Sequence, residues 1–312
     1  RVAFARDGVL HLGSWARGTH EGADMRGCRV DHPRLAGAAD ELVERARELG
    51  VSAYDEATGE GELRYVWLAT DGRAVLLTLI TATADEARVR RLAERLAEPD
   101  SVAWSVQRSR GNAIRGEGVV VLRGEGRLEL AIGGVRRRLR PLAFLQPNPP
   151  LMARAYADLL ADAAGHPLGG ERAFDLYAGS GVTTAVLRER FARVDACERA
   201  PEGAAALGVA PCGAEEFLAE RHDTPDLVVA NPPRKGLGRA VCRALSALGP
   251  PRIHLMSCGP EGLARDLALL RGAGYALVAL RAYDTLPQTP HVELVAKLAR
   301  GAAGGRGVPR SP

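Results

Sequence analysis

The feature that most restricts this fold is an alternation of short apolar runs and helix-spaced stretches between residues 151 and 300. RAFDLYAGSGVTTAVLRER, ARVDACER, DLVVANPPRKG, RIHLMSCGP and YALVALRAY each hold a strand candidate, and helical spacing separates one from the next. A helix between two strands returns the chain to the same end of the sheet, so the strands pair mostly in parallel. Ligands of such open α/β sheets collect at the carboxyl ends of the strands.

The first 145 residues carry a different pattern. ELVERARELG (41–50) has helical spacing and ends in glycine. LRYVWLAT and AVLLTLITA flank Asp71-Gly72 and predict a hairpin. EARVRRLAERLAE is helical again, and GVVVLRGEGRLELAIGGVRRRLRP predicts strands joined at glycines. This gives a smaller α+β domain over 1–145 without a cluster of catalytic residue types. PLAFLQPNPP (141–150) puts three prolines within four residues and should stop regular structure. A helix at 151–164 then leads into an α/β domain spanning 146–300, and GAAGGRGVPRSP (301–312) forms a tail expected to be disordered.

A chain of 312 residues can build two cores, and 46% hydrophobic with 26% charged residues is ordinary for a soluble globular protein. The net charge of +4 accommodates an acidic partner without demanding one. Lys235 and Lys297 are the only lysines, so the basic side is carried by arginine. Cys28, Cys197, Cys212, Cys242 and Cys258 form no close pairs. That argues against a disulfide framework or a CxxC zinc site, and for reduced thiols in the cytoplasm. No apolar run approaches the roughly 18 residues of a membrane span. No signal peptide is recognisable, and a chain opening on arginine is expected to be a fragment. No feature calls for an obligate protein partner.

Three stretches carry candidate chemistry. In FDLYAGSGVTT (174–184), Gly179 and Gly181 allow a tight turn and close approach of a ligand, with Asp175 just before it. Glu198, at the end of the next strand, is placed to accept ribose hydroxyls. Neither a third glycine nor a GK[ST] follows, so a nucleoside ligand without pyrophosphate fits better than NAD or ATP. S-adenosylmethionine (SAM) is the candidate; the competing reading is a packing turn. In ANPPRKGLG (230–238) two prolines stiffen a loop that presents Asn231 to the cleft. Such loops suit amine or amide methylation, yet Arg234 stands where an aromatic would stack a base. In HLMSCGPEGLARDL (254–267), Cys258 sits between a strand and a helix whose dipole favours a thiolate. A lone cysteine is more often a small buried hydrophobe. DTLPQTPHVELVAKL (284–298) adds His291 and Glu293 in a loop entering the last strand, where Glu293 is a surface charge or a partly desolvated base.

Together these residues resemble the SAM-dependent RNA uracil-5-methyltransferases, which make 5-methyluridine in transfer and ribosomal RNA. The likeness runs through FLQPN (144–148), FDLYAGSG, NPPRKGL, SCGP followed by LARDL, and PQTPHVE, in the family's order. GELRYV (61–66) and the glycine-rich strands near Asn112 resemble its central domain. The resemblance implies a Rossmann-like methyltransferase domain behind a smaller RNA-recognition domain. It implies Cys258 as nucleophile and Glu293 as base, and SAM contacts at Gln146, Tyr177, Gly179 and Glu198, with Asn231 beside the cofactor. GVRRRLRP (134–141) would hold RNA phosphates or form a solvated basic edge.

The chain departs from that pattern in four places. Asn231 stands for the family's aspartate, Gly259 for its asparagine, and Gly213 for an acid expected before AEEF. The stretch 199–212 is short and lacks an asparagine-bearing helix. Cys28 in GCRVDHPRL resembles the last of four iron–sulfur ligands found in some members; the other three would precede residue 1, so this chain alone is expected to hold no metal. Two other functions are compatible with the residues. One is an amine methyltransferase, for example on adenine N6, using Asn231 with Cys258 merely structural. The other is a decayed RNA-binding relative.

Overall fold

The computed structural model describes residues 1–301 apart from 17, 111, 112, 133, 144, 145 and 180, and apart from the side chains of 132, 137 and 202. Asn112, Phe144 and Leu145 of FLQPN, Ser180 of the glycine turn, and the tail over 302–312 thus lie outside the described residues. Two compact units divide the chain. The first comprises Arg1–Leu130 and Arg136–Leu145, the second Ala131–Val135 and the residues from Gln146 onward.

The first unit contains β1 (Val2–Arg6), β2 (Val9–Trp15), β3 (Gly22–Asp24), α1 (Pro33–Glu48), β4 (Leu63–Thr70), β5 (Val75–Thr81), α2 (Glu86–Arg95), β6 (Ser101–Val106) and β7 (Glu117–Arg123). A separate hairpin follows, β8 (Leu128–Ile132) with β9 (Val135–Leu139). The sheet order is β3-β2-β1-β4-β5-β6-β7. β5 and β6 pair in parallel because α2 intervenes as a crossover, whereas directly linked strands pair antiparallel. Asp71 fixes the predicted hairpin turn: its Oδ1 accepts from the backbone N–H groups of Arg73 and Ala74 at 2.8 Å each. Leu42, Val43 and Ala46 of α1 pack with Leu77 and Leu79 of β5 in this unit's core.

The second unit contains α3 (Pro149–Leu159), β10 (Gly170–Leu176), α4 (Val182–Arg188), β11 (Phe191–Cys197), α5 (Pro201–Leu207), α6 (Ala214–Ala219), β12 (Leu227–Ala230), α7 (Gly238–Leu248), β13 (Arg252–Ser257), α8 (Pro260–Gly272), β14 (Tyr275–Tyr283) and β15 (Glu293–Arg300). The sheet order is β11-β10-β12-β13-β15-β14. β11, β10, β12 and β13 run parallel, while β15 is antiparallel to both its neighbours. The expected Rossmann-like α/β arrangement is present. Both faces of the central strand β12 are covered, which is why LVVA is continuously apolar, whereas the edge strand β14 is largely exposed. Phe174, Val228 and Leu255 pack on one side with α6, α7 and α8; Ala173, Val229 and Met256 pack on the other with α3 and α4.

The prolines before residue 151 act differently from the expectation. Pro149 and Pro150 are the first two residues of α3, where a missing N–H is harmless and the fixed φ is helical. Asn148, at φ +53°, caps the helix by accepting from the Leu151 N–H at 3.3 Å. The far end of α3 is pinned to the sheet by a buried polar group. Lys297 of β15, with no exposed surface, donates to Asp158 Oδ1 at 2.6 Å and to the Asp162 carbonyl at 2.8 Å. Tyr283 donates to Asp158 Oδ2 at 3.0 Å, and Arg281 also pairs with Asp158. His254 Nδ1 donates to the Leu159 carbonyl at 2.7 Å. Among the described residues no helix is long and apolar enough to cross a membrane.

Candidate active site

The carboxyl ends of β10, β11, β12 and β13 carry four of the proposed site segments. After β10 the chain turns through Tyr177 (φ +57°), Gly179 (φ +55°) and Gly181 (φ +76°). A tyrosine in the left-handed region is costly, and the fold holds it by packing the ring against the core beside α6 and α7. Burial, ahead of the nearby Cys197, pushes the Tyr177 hydroxyl up to about 12. Glu198, just past β11, accepts the Gly179 N–H at 2.9 Å. A Cβ placed on Gly179 would meet nothing within 4 Å, so the turn faces open space. Backbone and carboxylate acceptors around an open glycine turn suit a nucleoside-bearing cofactor such as SAM.

Asp175 has a different part from the one its position suggested. It is 1% exposed, and its Oδ2 accepts from Thr183 and Thr184 Oγ1, each at 2.6 Å. Burial raises its carboxyl to about 6 against those two hydrogen bonds. The group braces the turn from inside. The stretch 199–212 does hold a short helix, α5, but one without asparagine. The position before AEEF is indeed filled without an acid, and Glu216 Oε2 instead accepts from the Gly213 N–H at 3.0 Å.

Asn231 follows β12 directly; it is half-buried, and its N–H donates to the Leu176 carbonyl at 3.3 Å, joining it to the β10 turn. The loop then runs through Pro232 and Pro233 to α7, and its backbone lies against the start of α8. A Cβ on Gly259 would collide with the Arg234 carbonyl oxygen, and one on Gly262 would lie 2.7 Å from the same atom. The glycine at 259, where the family resemblance suggests asparagine, therefore has a physical reason in this chain. Asp266 of α8, 2% exposed, accepts from the N–H groups of Leu237 at 2.6 Å and Gly238 at 3.1 Å.

Cys258 is half-buried and unpaired in the turn between β13 and α8. Ser257 Oγ accepts the Gly259 N–H at 3.2 Å and closes this turn around the thiol. Glu293 is the first residue of β15 rather than part of the preceding loop. β13 and β15 pair with Ser257 opposite Leu294, and continuing that register one residue sets Cys258 opposite Glu293. Glu293 is 6% exposed, and its Oε2 is buried with no hydrogen-bond partner among the described residues. Burial raises its carboxyl to about 7, and the Arg234 guanidinium pulls in the other direction. A desolvated carboxyl with a vacant acceptor can exchange a proton with a ring brought to it.

Gln146 is half-buried two residues ahead of the Asn148 cap of α3. His291 is half-buried, and its backbone N–H donates to Thr289 Oγ1 at 3.3 Å. Cys28 belongs to the first unit, and no group of three His, Cys, Asp or Glu among the described residues could hold a metal ion. Sequence reasoning missed Asp266. Its signal was a carboxylate on the apolar stripe of a helix, between Leu263 and Leu270, both buried.

No family model matches the chain. An uncharacterized RNA methyltransferase of Geobacter sulfurreducens is 31% identical over 310 residues, covering 93% of this chain and 62% of that protein. A counterpart from Halalkalibacterium halodurans is 30% identical over 315 residues, covering 94% of this chain and 68% of that protein. This chain thus spans about two thirds of the length of these relatives. Among solved structures, the tRNA (uracil-54, C5)-methyltransferase of Pyrococcus abyssi, in complex with S-adenosyl-L-homocysteine, superposes with a TM-score of 0.74 at 25% identity. The match covers 96% of this chain and 74% of that one.

Proposed function

Because the chain belongs to the family of SAM-dependent RNA methyltransferases, we propose that it methylates carbon 5 of a uridine in transfer or ribosomal RNA through a covalent Cys258 adduct. The observation that supports this reading is a buried Glu293 whose Oε2 has no partner among the described residues, one residue beyond the Ser257–Leu294 pair that ends the β13–β15 ladder next to Cys258.

The cofactor is SAM, and Gln146, Tyr177, Gly179, Glu198 and Asn231 are the residues we assign to hold it. When bound, it supplies the methyl group that carbon 5 takes up. Carbon 5 of uracil is a weak nucleophile, so the protein must first activate the ring. The Cys258 thiolate adds to carbon 6, forming the S–C6 bond and moving the C5–C6 π electrons onto the enolate of the ring. After methylation, Glu293 takes the proton from carbon 5. The electrons of that C–H bond restore the C5–C6 double bond, the S–C6 bond breaks, and Cys258 leaves as thiolate. A carboxyl held near 7 by burial suits this task close to neutral pH. The uridine has to be unpaired or flipped out for the thiol to reach it. Exposed Arg136, Arg138 and Arg140 around β9 are assigned to RNA phosphates, and the five unpaired thiols agree with a cytoplasmic protein.

The test uses undermethylated RNA and methyl-labelled SAM. Cys258→Ala should abolish 5-methyluridine while SAM binding stays intact, since the thiol acts on RNA. Glu293→Gln should still add and methylate but fail to release, leaving a slow band on a denaturing gel that contains RNA and label. Normal turnover by Glu293→Gln, or 5-methyluridine made by Cys258→Ala, would overturn the mechanism.

A further inference from the structure

We propose that Asp266 is a positioning residue that locks the Asn231–Gly238 loop onto the Cys258 turn and thereby sets the rate of thiol addition to the RNA base. The inference rests on the function proposed above and deepens it.

Its basis is a junction without intervening side chains. Asp266 is almost fully buried, yet its partners are not on its own helix. Its two oxygens accept from the N–H groups of Leu237 and Gly238, where the loop becomes α7. The local N-cap of α7, Leu237, offers no side-chain acceptor, so Asp266 caps that helix from α8 and places a carboxylate at its positive end. The Cys242 thiol of α7 lies 3.7 Å from the same carboxylate. Around it, three glycines bring backbone onto backbone. A Cβ on Gly236 would collide with Asp266, one on Gly259 with the Arg234 carbonyl, and one on Gly262 would sit 3.0 Å from the Gly236 nitrogen.

The loop held this way begins at Asn231 and includes Arg234, whose charge acts on Glu293. Its other face rests on the turn carrying Cys258. Asp266 is itself buried, and through the loop it fixes the relative placement of the groups assigned above to substrate and cofactor. Small displacements of such groups slow a reaction far more than they weaken binding.

Adduct formation under single-turnover conditions tests this, using Glu293→Gln protein, an undermethylated tRNA transcript and SAM. Adding Asp266→Asn removes the charge and puts an NH2 group against one of the two N–H donors, and should slow adduct formation at least about tenfold. SAM affinity, measured by calorimetry, should fall by clearly less than the adduct rate, because of the assigned cofactor residues only Asn231 sits on this loop while the glycine turn is held by other groups. Gly262→Ala keeps the carboxylate but wedges the loop away, and should slow the adduct in the same way. An Asp266→Asn protein that forms adduct at the parent rate, or loses adduct and SAM affinity in equal measure, would overturn the proposal. Should Asp266→Asn not fold, Gly262→Ala decides: adduct at the parent rate overturns it. Absence of adduct from Glu293→Gln itself would overturn the function first, and is distinguishable because it appears before Asp266 is touched.

Discussion

One carboxylate oxygen of Glu198 accepts the Gly179 N–H at 2.9 Å while the other accepts the Ala200 N–H at 2.7 Å. The side chain thereby ties the turn after β10 to the end of β11, its neighbour in the sheet. Gly203 lets α5 lie against this joint; a Cβ there would be 2.7 Å from Glu198 Cγ and 2.8 Å from the Gly179 carbonyl oxygen. Each carboxylate oxygen keeps a lone pair that can receive a hydroxyl from a nucleoside.

Glu198→Ala should weaken SAM binding by roughly 1–3 kcal/mol, the cost of leaving polar groups without partners. Calorimetry on the parent and the variant reads this directly. Equal affinities would remove Glu198 from the cofactor site.

The acidity of Glu293 gives two pH dependences of opposite sense. Release of the adduct needs the ionised carboxylate, so its rate should climb through pH of about 7 and level off above it. Stability should move the other way. The unfolded carboxyl ionises near 4.5 while the folded one holds its proton to about 7, so the stabilising contribution is full below 4.5 and is lost as pH rises through about 7. Its size is at most about 3 kcal/mol. Urea midpoints across this window should flatten in Glu293→Gln, and an unchanged slope would show that Glu293 is not desolvated.

Asn231→Asp tests what the loop offers the substrate. If Asn231 serves as a hydrogen-bonding partner of the uracil, the aspartate variant should keep or raise 5-methyluridine formation. Nucleoside analysis of the product RNA decides, and methylation of adenine that disappears in the variant would favour amine chemistry.

Lys297 and Asp158 make a buried charged pair, and removing the lysine leaves the Asp158 carboxylate with only Tyr283 and the half-exposed Arg281. Lys297→Ala should cost roughly 3–5 kcal/mol, whereas the paired change Asp158→Leu with Lys297→Met should cost less than the sum of its parts. Denaturant unfolding of the single and double variants gives the coupling, and simple additivity would refute it.

Much of this arrangement was legible in the chain. The hairpin at Asp71-Gly72 and the strands ending at Leu176, Ala230 and Ser257 follow from local signals, namely apolar runs closed by turn residues. Pro149 and Pro150 misled because a proline that breaks a helix interior is favourable at its first turn, and the sequence does not mark which applies. Asp175 and Asp266 show a second limit. Whether a carboxylate faces a ligand or is spent on Thr183 and Thr184, or on Leu237 and Gly238, depends on partners in other elements. The placement of Glu293 at the head of β15, one residue before the Ser257–Leu294 pair, is of the same kind, because it arises from the antiparallel register of β15 on β13.

That register has a consequence for the order in which the protein is made. β14 leaves the ribosome before β15, yet β15 takes the place between β13 and β14. Until residues 293–300 emerge, β13 is an edge strand and β14 lacks its sheet neighbour. The glycine turn and the thiol-bearing turn both precede Glu293 in the chain, so they are made before the carboxylate proposed as base. Insertion of β15 fills the gap between β13 and β14, and on the function proposed above a chain lacking it would carry the thiol assigned to capture a uridine without the carboxylate assigned to its release.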